Sequence, residues 1–254
     1  MQDYRTVVET RYDREDASPY GVLRNPYSGW NRPGRIGDDY MRSSLYALFD
    51  LLRPKLTTAA AVEALRLLDI GCGGGRATRQ MAEICGRADN IYGIDLSTAR
   101  IDCARRMNDR IHYAVGDITE PYPFGEASAF DAVTAFVALM HLSDRETLHA
   151  ALGRAVSALK PGGLFLWYDE LADTHFASTD ADDHRGFSVR EMDDLCADVG
   201  LRLVHAEAFG TVIRGVPLPY RENVSPALFT LLDRLPLKKS NALRIYEKEK
   251  QCAE

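Results

Sequence analysis

The sequence predicts an α/β protein with a mostly parallel sheet covered by helices on both faces. Two observations carry this. From about residue 65 onward, short apolar runs alternate with helix-length amphipathic segments, the pattern of successive strand–helix crossovers. The first of those runs ends in a glycine-rich turn, which is where an open parallel sheet places its ligands. With 254 residues, the chain has room for one well-buried domain with small additions rather than two independent ones.

Residues 1–37 are rich in Arg, Tyr, Pro and Gly and show little periodicity. They read as an extension or lid, leaving 38–254 as the main domain. A helix is expected from Asp38 to Leu52, because Met41, Leu45, Leu48 and Leu52 recur on one face, and Pro54 ends it. Leu67–Ile70 reads as a first strand, Arg76–Gly86 as a helix and Asn90–Asp95 as a second strand. Ser97 caps a helix over Thr98–Asn108. Strands follow at Ile111–Val115 and Phe130–Phe136. Ser143 and Glu146 have capping-box spacing ahead of an apolar stripe of Leu148, Leu152, Ala155 and Leu159. Pro161-Gly162-Gly163 stops that helix and leads into a fifth strand, Leu164–Tyr168. A second box, Ser188 and Glu191, opens a helix that closes at Gly200. Leu201–Phe209 and Ala242–Glu247 complete seven strands. Between these last two, 210–240 holds Pro217, Pro219, Pro226 and Pro236 around a short apolar helix and reads as a small cover.

Composition narrows the function. The formal net charge is -6 and there is no basic stripe, which argues against a nucleic-acid partner. No stretch approaches the ~20 apolar residues of a membrane span. Met1–Asp16 is charged and mixed, unlike a secretory signal. The cysteines Cys72, Cys85, Cys103, Cys196 and Cys252 are scattered without CxxC pairing, so a reducing cytoplasm is the expected setting.

The chemistry concentrates in Asp69-Ile70-Gly71-Cys72-Gly73-Gly74-Gly75. Glycines allow close backbone approach and positive φ at such a turn. A dinucleotide fingerprint, G-x-G-x-x-G, would need glycine where Arg76 stands, so a nicotinamide or flavin cofactor is disfavoured. The D-x-G-x-G-x-G run resembles the first motif of the class I S-adenosylmethionine-dependent methyltransferases. Further segments match in order, so the resemblance covers about 65–209.

The resemblance implies a Rossmann-like seven-stranded sheet and S-adenosylmethionine as cofactor, with S-adenosylhomocysteine as product. It implies that Asp69, Gly71, Gly73 and Gly75 form the cofactor turn and that Asp95 accepts from both ribose hydroxyls. A carboxylate suits a vicinal diol because it offers two acceptor oxygens. Gly116-Asp117-Ile118 would clamp adenine, with Asp117 on the exocyclic amine, the Ile118 backbone on a ring nitrogen and Leu96 over one face. The backbone at Phe136 and Val137 would meet the methionine portion.

Methyl transfer to a hydroxyl needs a proton acceptor. His141, after the fourth strand, and Asp169, ending the fifth, are the candidate catalytic residues. Trp167 or Tyr168 would stack on the acceptor. Asp180, Asp182, Asp183 and His184 cluster but read as a solvated loop, so no metal is expected. Arg11–Arg14, Asn25–Trp30, Trp167–Asp169 and the cover resemble a subgroup of bacterial methyltransferases linked to polysaccharide or glycoside biosynthesis. That implies a small-molecule acceptor, with a sugar or natural-product oxygen favoured. The alternatives are N-methylation of a small amine and a non-catalytic cofactor-binding protein. Oligomeric state is not legible.

Overall fold

The computed structural model describes residues 36–56, 60–125, 128–142, 144–173, 186–211 and 226–249. The elements are α1 (Ile36–Leu52), α2 (Ala60–Glu63), β1 (Leu67–Ile70), α3 (Arg76–Cys85), β2 (Ile91–Asp95), α4 (Thr98–Met107), β3 (His112–Val115), β4 (Phe130–Phe136), α5 (Arg145–Ala158), β5 (Leu159–Glu170), α6 (Val189–Asp198), β6 (Leu201–Thr211), α7 (Pro226–Asp233) and β7 (Lys239–Lys248). They build one seven-stranded sheet in the order β3-β2-β1-β4-β5-β7-β6. The first five strands run parallel. β7 is antiparallel to both β5 and β6. The order turns back between β1 and β4, and the crevice at such a switch point is where ligands bind in open α/β sheets.

Burial explains the strand sequences. Every residue of β1 is buried, as a central strand covered on both faces requires. On one face Leu45 and Leu48 of α1, Met81 of α3 and Ile101 of α4 pack over Leu67, Ile91 and Leu166. On the other, Leu148 and Leu152 of α5 and Met192 and Leu195 of α6 pack over Leu68, Phe165 and Trp167. Truncating a fully buried leucine such as Leu68 to alanine would cost about 2–5 kcal/mol.

Helix ends follow local chemistry. The Ser97 side chain accepts from the Arg100 N–H, and Ser188 with Glu191 forms the expected reciprocal box. The start of α5 differs from expectation. Its cap is Asp144, whose carboxylate accepts from Thr147 N–H at 2.7 Å, while Ser143 lies outside the described residues. β5 also begins earlier than expected. Leu159 already pairs with Phe130, and the Lys160–Gly163 turn is absorbed as an irregularity inside the strand before the register resumes at Ala132–Leu164. A strand can carry such a bulge without ending. Residues 1–35 of the expected extension (1–37) and residues 212–225 of the expected cover (210–240) lie outside the described residues. So does the Asp180–His184 cluster.

Asp69 sits inside this core, on the central strand. It is 1% exposed and accepts from the hydroxyls of Thr78 on α3 (2.7 Å) and Thr134 on β4 (2.8 Å). Burial pushes its carboxyl up to about 7, against the lowering effect of those two hydrogen bonds. A carboxyl raised in the folded state binds protons that the unfolded chain releases. Its contribution to stability is therefore complete below about 3.8 and is lost as pH rises through about 7. Glu247 is held below its ordinary 4.5 by Lys55 and Arg202 and acts oppositely, but only in more acidic solution. Urea unfolding midpoints should accordingly fall between pH 5.5 and pH 8, and Asp69→Asn should flatten that fall. An unchanged slope in the variant would contradict the assignment.

Candidate functional site

At the carboxyl edge, β1 and β2 feed a small cleft that is partly open to solvent. Gly71 forms its floor. That residue has φ +66°, and a Cβ there would stand 2.5 Å from the Ala138 Cβ. The turn after β1 and the turn after β4 therefore approach as closely as only glycine permits. Gly75, with φ +74°, starts α3, and a side chain there would collide with the Tyr113 hydroxyl at 2.3 Å.

Asp95 ends β2 and forms the centre of the cleft. Its two carboxylate oxygens accept from Gly73 N–H at 2.7 Å and from Ser97 N–H at 2.9 Å. These bonds fix the plane of the carboxylate and the path of the glycine turn together. Leu96, Gly116, Asp117 and Ile118 form one end of the cleft. The Asp117 Oδ1 accepts from the Thr119 N–H (2.9 Å) and hydroxyl (2.7 Å), which pins its orientation.

Val137, Ala138, His141 and Leu142 form the other end. Val137 has φ +52°, rare for a β-branched residue and costing on the order of 1–3 kcal/mol. Its N–H donates to Tyr168 O at 2.8 Å, which holds it there. His141 closes the short 3₁₀ turn Leu139–His141.

Asp169 lies behind that turn rather than on the cleft wall. It is completely buried and accepts from Met140 N–H (3.2 Å), the Trp167 indole N–H (3.1 Å) and Glu170 N–H (3.2 Å). Burial pushes its carboxyl up to about 7. Trp167 is likewise fully buried and packs edge-on against Phe187 at 4.8 Å, so it does not stack on an acceptor as expected. Tyr168 packs with Phe136 and Phe209 in the opposite core.

Of the residues expected to bind cofactor, Gly71, Asp95, Leu96, Asp117 and Ile118 come together in the cleft, with His141 beside them. Asp69, Gly73, Gly75 and Phe136 stand behind it as support. Sequence reasoning missed Arg100, which also lines the cleft and places a guanidinium nitrogen 3.4 Å from the Cβ position of Gly73. Its signal was its place on the first turn of α4, on the side of the Ser97 cap. No group of three His, Cys, Asp or Glu residues placed to hold a metal occurs among the described residues.

A glycine turn and a strand-end acid beside a crevice at the switch point define a ligand-binding edge of an open α/β sheet. Comparison with known proteins narrows the class. The methyltransferase domain family matches residues 67–163. The O-methyltransferase cnsE of Penicillium expansum is 33% identical over 113 residues, covering 42% of this chain and 38% of that protein. The O-methyltransferase rstn1 of Aspergillus nomiae is 26% identical over 224 residues, covering 84% of this chain and 92% of that protein. The magnesium protoporphyrin IX methyltransferase of Synechocystis PCC 6803, solved with bound S-adenosylmethionine, superposes with a TM-score of 0.61 at 12% identity, covering 98% of this chain and 99% of that one. This last likeness shows the shared fold. The chain spans about two-fifths of the length of the first curated relatives it matches. The likeness to methyltransferases is thus carried by residues 67–163 of this chain.

The family's cofactor fits the residues present. A Cβ would fill the space that Gly71 keeps open, and Asp95 offers a fixed carboxylate for a diol. Asp95→Ala would remove the acceptor for two backbone donors and the carboxylate offered to a diol. Each hydrogen bond to a charged group is worth about 1.5–3 kcal/mol, so binding of S-adenosylhomocysteine should weaken about 10- to 100-fold. Amide exchange at Gly73 and Ser97 should quicken in the ligand-free variant. Wild-type exchange and wild-type affinity in Asp95→Ala would remove it from the site.

Proposed function

We propose that the protein transfers the methyl group of S-adenosylmethionine to an oxygen of a small-molecule acceptor. The observation that carries this is the cleft itself: the strand-end carboxylate of Asp95 lies in its middle and a histidine at its β4 end. When bound, the cofactor supplies an activated methyl group on a sulfonium; the protein contributes orientation and proton handling. Gly71 and Asp95 hold the nucleoside and its tail, with Gly73 N–H fixing the Asp95 carboxylate from behind, and Leu96, Asp117 and Ile118 enclose the base. That leaves the reactive end beside Val137, Ala138 and His141.

The His141 Nδ1 is buried, so Nε2 is the nitrogen through which an acceptor proton passes. A neutral imidazole accepts a proton through its unprotonated ring nitrogen, which suits that task. Asp169 acts indirectly. By accepting the Met140 N–H it holds the turn that carries His141, so it is a positioning residue. The relatives named O-methyltransferases support an oxygen acceptor. A sugar or natural-product hydroxyl remains the favoured class, from the subgroup resemblance.

The test is radiolabelled methyl transfer to a panel of sugar, phenol and amine acceptors. His141→Ala should lower kcat on a hydroxyl acceptor by about 10²- to 10⁴-fold, the usual contribution of a general base. Turnover confined to amines and indifferent to His141→Ala would overturn the oxygen assignment. S-adenosylmethionine binding with no turnover on any acceptor would favour a non-catalytic binding protein.

A further inference from the structure

Large apolar side chains exposed among the described residues are few, and they are not evenly spread. Leu231 (57% exposed), Leu235 (46%) and Leu237 (45%) fall within one seven-residue segment at the end of α7 and in the loop that follows. Isolated exposed leucines need no explanation, whereas a cluster does. Exposed Arg234 and Lys238 bracket Leu235-Pro236-Leu237. Lys238 lies 3.7 Å from Asp173, both largely exposed. This cationic, leucine-tipped loop stands on a chain whose net charge is -6.

The loop is held in shape. The Lys239 ammonium donates to Asp233 O at 2.8 Å and to Leu235 O at 3.3 Å. The Asp233 carboxylate accepts from the Tyr40 hydroxyl of α1 and from Gly210 N–H. Leu235 and Leu237 are therefore presented outward by a tied turn. Asn241 pairs with Glu170 at the end of β5, which puts the loop on the same sheet edge as the cleft. It lies on the β5 side, toward which the His141 end of the cleft faces.

We propose that this loop is a membrane-contact surface that seats the protein reversibly on an anionic lipid bilayer. Leucines flanked by Arg and Lys match an interfacial anchor, which buries apolar side chains below the headgroups and leaves cations at their level. Protein interfaces are instead rich in aromatic residues and depleted in Lys. No described helix is long and apolar enough to cross a membrane, so the contact is peripheral. Combined with the methyl-transfer reading, on which this part rests, the surface selects an acceptor that carries an apolar tail and is met at the bilayer.

The experiment is cosedimentation with vesicles of phosphatidylcholine alone and of phosphatidylcholine mixed with phosphatidylglycerol. The protein should bind the mixed vesicles, more weakly as salt rises. Leu235→Ser/Leu237→Ser should reduce partitioning at least about tenfold, and Arg234→Gln/Lys238→Gln should abolish the preference for the anionic lipid. Both double variants should keep wild-type melting and wild-type affinity for S-adenosylhomocysteine. No vesicle binding by wild type, or equal binding by the leucine variant, would overturn the proposal. So would a wild-type dimer that the leucine variant dissociates, because a second copy would then cover the loop. Vesicle binding by a protein that fails to bind S-adenosylhomocysteine would preserve the surface and overturn the methyl-transfer reading instead.

Discussion

Asp95 fastens the glycine turn after β1 to the start of α4 by accepting from Gly73 and Ser97. Two adjacent crossovers of a parallel sheet are thereby joined at the edge where their strands end. Parallel strands leave all their outgoing turns on one edge, and those turns need polar partners that the sheet ladder does not supply. A carboxylate that satisfies two backbone donors while lining the cleft organises the turn at the edge where the cleft opens. The rest of the cleft is arranged around it, with Leu96 and Ile118 on the side of β3 and Val137 and His141 on the side of β4.

Two further buried carboxylates repeat this logic deeper in the fold. Asp69 joins β1 to α3 and β4 through hydroxyl donors. Asp169 joins β5 to the turn carrying His141 through a backbone N–H. Both are desolvated enough to titrate near neutrality, which is unfavourable for stability at higher pH. Each holds two elements in fixed relation beside the cleft, and that rigidity is what an in-line transfer between two bound groups requires. Val137 fits the same pattern, since its left-handed backbone is stabilised by the Tyr168 carbonyl while the residue forms the lip of the cleft.

The parallel core was legible because its signals are local. Apolar runs gave the strands, Ser97 and Ser188 gave caps, and the glycine turn marked the edge. The β5 start was misread because Pro161-Gly162-Gly163 is a stop signal in isolation, whereas pairing with β4 carries the strand through it. Within the site, Gly71, Asp95 and Ile118 line the cleft because turn position fixes where they fall. Side-chain roles on β5 did not follow from sequence. Alternation assigns Trp167 and Asp169 to one face and Tyr168 to the other, but only the packing of Phe187 shows that the Trp167 face is closed. Arg100 was missed for a related reason: a helix-borne cation reads as solvated surface until its helix is seen to border the cleft.

The account rests on the cleft accepting a sulfur nucleoside rather than a dinucleotide. Calorimetric titration of the wild-type protein with S-adenosylmethionine, S-adenosylhomocysteine and NAD tests this most directly. Saturable one-to-one binding of both sulfur nucleosides, with no heat from NAD, is the predicted result. Binding of NAD with neither sulfur nucleoside competing would contradict the account.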